Sequence, residues 1–323
     1  MNDKTILVTG GAGYIGSFMV RNLLEKGYRV VVLDSLERGK KDVVPQNAKF
    51  YQGNTKDKEI LGQIFTSQHI DGVIHFAGFI SMGESMENPF IYFEDNTFDT
   101  LVLLEEMHKH NVNNVIFSST AGVYGNPAQL PIPEDDTKNP TNPYGESKLM
   151  VEKILSWYKT IHGLNFVALR YFNACGASLD GRYGEAHDPE SHIIPCAMKA
   201  LIENRPFELY GTDYETKDGT CVRDYIHVLD LVEAHVLALE KIMNESGGYI
   251  YNVGTGQGYS NKQVLEAIER VSGRKIEIEE KERRPGDANE LVANVSKIKE
   301  ELNFNPQYSD IDTIVKSAWL FHS

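Results

Sequence analysis

The sequence predicts an α/β fold, a doubly wound parallel sheet joined to a smaller mixed α/β domain. Three features of its 323 residues predict it. Short β-branched runs recur through the first half, helix-length amphipathic stretches lie between them, and the first run ends in a glycine-rich turn. Runs of this composition suit strands buried on both faces. Strand–helix alternation gives a parallel sheet covered by helices.

The runs are TILVT (5–9), RVVVL (29–33), GVIHFA (72–77), NVIFSS (114–119) and NFVALR (165–170). A helix is expected from Tyr14 to Lys26, with Ile15, Met19 and Leu23 at i, i+4 and i+8. Others are expected from Pro89 to about His110 and from about Tyr144 to His162. After about Phe172 the rhythm loosens. Gly, Asp and Pro mark loops at 176–190 and 211–220, and helices return near 229–243, 260–271 and 310–321. The expected division is 1–172 for a nucleotide-binding domain and 173–323 for a mainly substrate-binding one, with later segments crossing back to the first sheet.

Composition narrows the function classes. The formal net charge of −14 argues against a nucleic acid partner, which needs a basic face. A small anion remains compatible, because backbone N–H groups and a few arginines bind phosphate locally. The three cysteines, Cys175, Cys196 and Cys221, form neither a disulfide framework nor a zinc pattern. Reduced thiols, a first strand starting at residue 5 and no apolar run of ~18–20 residues predict a cytoplasmic protein without a membrane partner.

TGGAGYIGS (9–17) follows the first strand and opens the first helix, placing Gly10, Gly13 and Gly16 at intervals of three. Such a turn lets the backbone approach a pyrophosphate, which the free N–H groups of the helix N-terminus then bind. Asp34 follows at the tip of the second strand. A carboxylate there accepts from ribose hydroxyls and repels a 2′-phosphate, which selects NAD over NADP. The fold is therefore expected to be Rossmann-like.

Tyr144 and Lys148 stand as Y-x-x-x-K, one helical turn apart. Tyrosine is a poor base at neutral pH. Lowering its pKa by two or three units takes roughly 3–4 kcal/mol, within reach of a partly desolvated lysine aided by a positive nicotinamide ring. The tyrosine then exchanges a proton with a sugar hydroxyl. Thr120, at the end of the strand run, is expected to bond the reacting oxygen and hold Tyr144.

These motifs together resemble the extended short-chain dehydrogenase/reductase family. Further segments resemble its UDP-glucose (UDP-galactose) 4-epimerases: HFAG (75–78), GES (83–85), SSTAGVYG (118–125), PYGESKLMVE (143–152), LRYFNACGA (169–177), DGTCVRDYIHVLDL (218–231), YNVGTG (251–256) and RRPGD (283–287). The resemblance implies tightly held NAD and a homodimer formed through the stretches 89–110 and 144–162. It also implies that Tyr144 takes the proton of the sugar 4-hydroxyl, with Thr120 and Lys148 as its catalytic partners. Contacts to NAD would come from Gly10, Gly13, Tyr14, Ile15, Gly16 and Asp34, and from Asn54, Thr55, Phe76, Ala77, Gly78 and Asn96. Ser118, Tyr144, Lys148 and Tyr171 complete the cofactor set. The UDP-sugar would meet Thr120, Tyr144, Asn173, His192, Ile193, Tyr210, Arg223, Tyr225, Arg284, Asp287 and Leu291. Arg223 and Arg284 suit a diphosphate, having forked, permanently charged donors.

The chain departs from the family in places. Asn54 stands where Asp is common, Phe79-Ile80 where some relatives have a cofactor-contacting lysine, and His192-Ile193 where Asn-Leu is frequent. Leu291 lies at a position whose size bears on N-acetyl sugars, so UDP-N-acetylhexosamines and UDP-pentoses stay open as substrates. Ala121-Gly122 lack the acid and base that a dehydratase needs after the strand-end threonine. The intact Thr120, Tyr144 and Lys148 weigh against a non-catalytic NAD sensor. His187 and His192 match no metal motif, and a solvated substrate loop without metal is the expectation.

Overall fold

The computed structural model describes residues 3–187, 189–284 and 287–323. Pro285 and Gly286 of the RRPGD segment, and Asp188 between the two histidines, lie outside them. The chain forms two compact units. The first comprises 1–125, 138–170 and 232–251, and the second 126–137, 171–231 and 252–323.

The first unit begins with β1 (Thr5–Thr9), α1 (Tyr14–Glu25), β2 (Arg29–Asp34), β3 (Lys49–Gln52), α2 (Lys58–Ser67) and β4 (Gly72–His75). It continues with α3 (Met82–Glu87), α4 (Pro89–Ile91), a π-helical segment (Tyr92–Phe98), α5 (Asp99–Lys109), β5 (Asn114–Thr120), α6 (Pro143–His162) and β6 (Asn165–Tyr171). The chain then builds β7 (Asn173–Cys175), α7 (Ile193–Ile202), β8 (Phe207–Tyr210) and β9 (Val222–His227). Through α8 (Val228–Asn244) and β10 (Gly248–Val253) it rejoins the large sheet, then finishes with β11 (Gly258–Ser260), α9 (Asn261–Ser272), β12 (Ile278–Lys281), β13 (Glu290–Leu291), α10 (Ser296–Leu302) and α11 (Ile311–His322).

Among the described residues the large sheet has the order β10-β6-β5-β4-β1-β2-β3, with β3, β2, β1, β4 and β5 pairing in parallel. Reading 3-2-1-4-5-6 from one edge, this is the doubly wound dinucleotide-binding order. Ile6, Leu7, Val8, Val73, Ile74 and Ile116 have no solvent exposure, as burial on both faces requires. The five runs read from the sequence are five of its strands. β3 escaped because KFYQ is short and only half-buried, and β10 because GYIYNV carries no β-branched run.

The stretch from Pro89 to His110 is helical, but not uniformly so. A π-helical segment at 92–98 inserts extra backbone into one turn and shifts the register of α5. Asn142 starts α6 cleanly: its side chain accepts from Gly145 N, and Pro143 occupies the first helical position. The helix is fastened lower down. Arg170 on β6 donates to both carboxylate oxygens of Glu152 (2.9 and 2.6 Å) and to the Tyr124 hydroxyl, and Ser119 on β5 donates to Glu152. Arg170 is 1% and Glu152 3% exposed, so each charge depends on the other.

In the second unit β9 pairs with β7, β11 and β13, and β8 pairs in parallel with β12. Asp224 is the hub. Its buried carboxylate accepts from the N–H groups of Thr255, Gly256 and Ala293 and from the Thr255 hydroxyl. Its role is structural, spent on backbone donors. α9 opens with a reciprocal Ser260–Gln263 capping box.

One buried acid runs against stability. Asp99 is 1% exposed at the start of α5, and burial together with the neighbouring Asp95 raises its pKa to about 7. A carboxyl raised in the folded state is deprotonated first in the unfolded chain, so stability falls as pH rises from about 4 towards 7. Asp99→Asn is expected to raise the urea midpoint by an amount worth about 1 kcal/mol or more at pH 8, with the gain shrinking at pH 5. Equal midpoints at pH 8 would show that the carboxylate is solvated.

Candidate active site

The site of the first unit stands on the carboxyl ends of the parallel strands, where ligands of doubly wound sheets bind. Gly10 leaves β1 with φ +72°, and a Cβ there would sit 2.6 Å from Ala77 N. A Cβ on Gly16 would sit 2.1 Å from Gly10 O, so α1 packs against the turn only with hydrogen at that position. Gly13 is the N-cap of α1, its N–H donating to Gly10 O, and Tyr14 and Ile15 open the helix, which has no side-chain cap.

Asp34 ends β2, 8% exposed. Oδ2 accepts from Ala12 N and Oδ1 from Leu36 N, both at 2.9 Å. Each oxygen keeps a lone pair for a further donor. Asn54 follows β3, its Oδ1 accepting from Lys56 N, and its side chain also bonds the Asp95 carboxylate. Thr55 beside it is buried.

Phe76, Ala77 and Gly78 follow β4. Asn96, in the π-helical segment, accepts from Phe79 N at 2.8 Å and donates to Phe79 O and Ser147 Oγ. Its amide therefore ties the 76–79 turn to α6. His75 beneath the turn is held neutral, its pKa lowered to about 3 by burial and by Lys148. Thr100 donates to Asn96 O, so its oxygen accepts from His75 Nε2–H, and Nδ1 accepts from Thr9 (2.6 Å).

Thr120 ends β5, just beyond Ser118, and its Oγ1 accepts from Gly122 N at 3.0 Å. Tyr144 and Lys148 lie in the first turns of α6, as expected. Lys148 is 2% exposed, its Nζ 5.1 Å from the centre of the Phe117 ring. Burial lowers its pKa to about 8. Burial raises the Tyr144 pKa, while its hydrogen bond with Thr120 opposes the rise. The lowering expected from the sequence counts on a positive nicotinamide ring as well as on Lys148. Desolvation wins in the protein alone, and Tyr144 is a phenol at neutral pH. Ser147, which donates to Tyr144 O, is a positioning residue overlooked in the sequence; its place inside Y-x-x-x-K was the available signal.

The second unit groups the remaining residues. Tyr171 ends β6, and Asn173 on β7 stands in register with Tyr225 on β9. Asn173, Tyr225, His192 and Ile193 line one small cavity with Glu185. Arg223 is in register with Leu291, donates to Val222 O and Ala288 O (both 2.9 Å), and lies 3.6 Å from Asp287. The Arg284 guanidinium sits 4.2 Å over the Tyr210 ring, and the Tyr210 hydroxyl donates to Glu208. That stacking makes Tyr210 a partner of Arg284.

A sheet of this order with a glycine turn after its first strand defines a dinucleotide-binding enzyme fold. The profile of the NAD dependent epimerase/dehydratase family matches residues 6–254. A UDP-glucose 4-epimerase of Lacticaseibacillus casei is 47% identical, covering 98% of this chain and 96% of its own. A UDP-glucose 4-epimerase from Brucella ovis, solved in complex with NAD, superposes with a TM-score of 0.95 at 44% identity, covering 98% and 97%. One from Bifidobacterium longum, solved with NAD+ and UDP, gives 0.93 at 40% identity and 98% of each chain. The chain belongs to the NAD dependent epimerase/dehydratase family.

The residues present fit NAD, with a turn closed to any Cβ at Gly10 and Gly16, a helix N-terminus that no side chain caps, and lone pairs on Asp34. Gly16→Ala is expected to weaken NAD retention at least about tenfold, because the added carbon must push the helix off the turn. Nucleotide released from the purified protein by acid reads this directly; an unchanged yield would show that the turn does not carry the cofactor.

Proposed function

We propose that this chain is a UDP-hexose 4-epimerase, interconverting UDP-galactose and UDP-glucose through a 4-keto sugar. The observation that carries the reading is the hydrogen-bonded Thr120–Tyr144 pair with buried Lys148 one turn along α6, in a chain alike to UDP-glucose 4-epimerases over nearly its whole length. NAD, when bound, would supply a hydride acceptor and donor for the sugar carbon.

The side chains manage the proton. Tyr144 enters as a phenol because burial disfavours its anion. Thr120 donates to the phenolate form and favours it. Lys148, with a pKa near 8, is mostly cationic at pH 7 and adds electrostatic support. A positive nicotinamide ring adds more, so Tyr144 becomes a base only in the loaded site. It takes the 4-hydroxyl proton and later gives it back. Gly10, Gly13, Tyr14, Ile15 and Gly16 would hold the pyrophosphate side of NAD, and Asp34 the adenosine ribose. Asn54, Thr55, Phe76, Ala77, Gly78, Asn96, Ser118 and Tyr171 complete the cofactor set. In the second unit, Arg223 and Arg284 would grip the diphosphate, and Asp287 the uridine ribose. Tyr210 would pack on uracil, with Asn173, His192, Ile193, Tyr225 and Leu291 around the rest. A UDP end held firmly leaves the 4-keto sugar free to turn over.

A cytoplasmic setting fits cysteines that are all free and the lack of any described helix long and apolar enough to cross a membrane. A homodimer is part of the proposal. Supporting it, the stretches 89–109 and α6 expose Phe90, Phe98, Trp157 and Ile161, the first 70% and the last two 65% accessible. Met150, Trp157 and Ile161 recur at i, i+7 and i+11, the spacing of one helical face. Patches of this kind mark interaction surfaces.

Incubation with UDP-galactose and no added NAD should give a stable mixture with UDP-glucose, and Tyr144→Phe should cut the rate by about 10²–10⁴-fold or more while retaining NAD. No conversion with NAD supplied would overturn the assignment. Light scattering should give about twice 36.3 kDa at micromolar concentration, and Trp157→Glu should shift it towards one chain. A 36.3 kDa species for the unaltered protein would remove the dimer.

A further inference from the structure

The loop leading into α7 gathers a set of side chains which the proton chemistry above does not use, although Glu185 and His192 also line the cavity shared with Asn173 and Tyr225. Glu185, His187, Glu190 and His192 each present one coordinating atom, and these four atoms all lie within 4.8 Å of one another. His187 Nδ1 is 3.0 Å from Glu185 Oε1 and 3.9 Å from Glu190 Oε2. His192 Nδ1 contacts the same Glu185 oxygen and lies 3.7 Å from Glu190 Oε1. Both rings turn the same edge inward, onto carboxylates.

Zinc holds nitrogen and carboxylate ligands at about 2.0–2.2 Å, which sets tetrahedral ligand atoms about 3.3–3.6 Å apart. The separations between these atoms straddle that spacing, so an ion at the centre asks for side-chain shifts on the order of an ångström. The charge also matches. Two carboxylates balance one divalent ion when both imidazoles are neutral, which leaves no excess charge. Glu185 is only 4% exposed, and a desolvated carboxylate gains more from a cation than one in water. The ligand-bearing segment is anchored at both ends, by the Ala177–Gly184 bridge before it and by α7 after it.

We propose that Glu185, His187, Glu190 and His192 bind one divalent cation of the zinc class, which pins the 185–192 loop to the start of α7. The donor set selects the ion. Two imidazole nitrogens suit zinc or nickel, whereas magnesium and calcium prefer oxygen cages. The role is structural, since all four protein ligands close the coordination shell.

The test uses full-length, tag-free protein stripped with chelator, titrated with Zn²⁺ alone in a calorimeter, with metal content measured after gel filtration. One equivalent per chain is expected. His187→Ala and Glu190→Gln, each checked by circular dichroism, should weaken binding at least about tenfold, and zinc should raise the melting temperature of the parent but not of these variants. A competing histidine pair exists in the first unit, where the His108 and His162 rings lie 4.1 Å apart. Binding that survives both variants but disappears in His108→Ala would overturn the proposal, as would absence of zinc binding in the parent. No substrate or NAD enters the experiment, so its failure leaves the epimerase reading standing.

Discussion

The arrangement of the first unit's site depends on how α6 is fixed to the sheet. Tyr144 and Lys148 sit in the first turns of this helix, and their position is set two turns further on by the Arg170–Glu152 pair, with Ser119 on the same carboxylate. A buried arginine stripped of its carboxylate costs about 3–5 kcal/mol, a large share of the stability of any domain. The pair joins β5, β6 and α6, so the catalytic helix cannot slide along the sheet without breaking it. The same demand explains why the site tolerates a buried, partly neutral lysine: the energy to bury Lys148 is drawn from packing that surrounds it on all sides.

Electrostatics then separate two states of the site. In the protein alone, desolvation holds Tyr144 as a phenol and depresses Lys148. Both shifts favour the uncharged forms, as an apolar enclosure must. The proposed chemistry needs the opposite for the tyrosine, and the missing charge would come with the cofactor. On that reading an unloaded site would be inert towards hydroxyl groups.

Much of this was legible in the residues. β-branched runs and the glycine turn announced a doubly wound parallel sheet, and Tyr144 and Lys148 were visible from their spacing together with that turn and the strand end at Thr120. What stayed hidden has physical causes. β3 is short and half-buried and β10 carries no β-branched run, and both lie at the edges of the sheet. The π-helical segment has no signature in periodicity, yet it is what directs Asn96 to the Phe79 backbone. Asp224 gave no hint of its structural role, since its partners are backbone groups 31 to 69 positions away. The convergence of Glu185 with His187, Glu190 and His192 likewise required three dimensions, because the spacing of the four matches no linear ligand pattern.

The contact between Asn54 and Asp95 also bears on how the chain changes over generations. The two side chains are joined, so neither position is free to vary alone. Restoring a carboxylate at 54 first would set two negative groups against each other beside the cofactor turn, whereas neutralising 95 first would leave the amide without its acceptor. The order of substitutions is thereby constrained, and descendants that differ at one position should differ at the other.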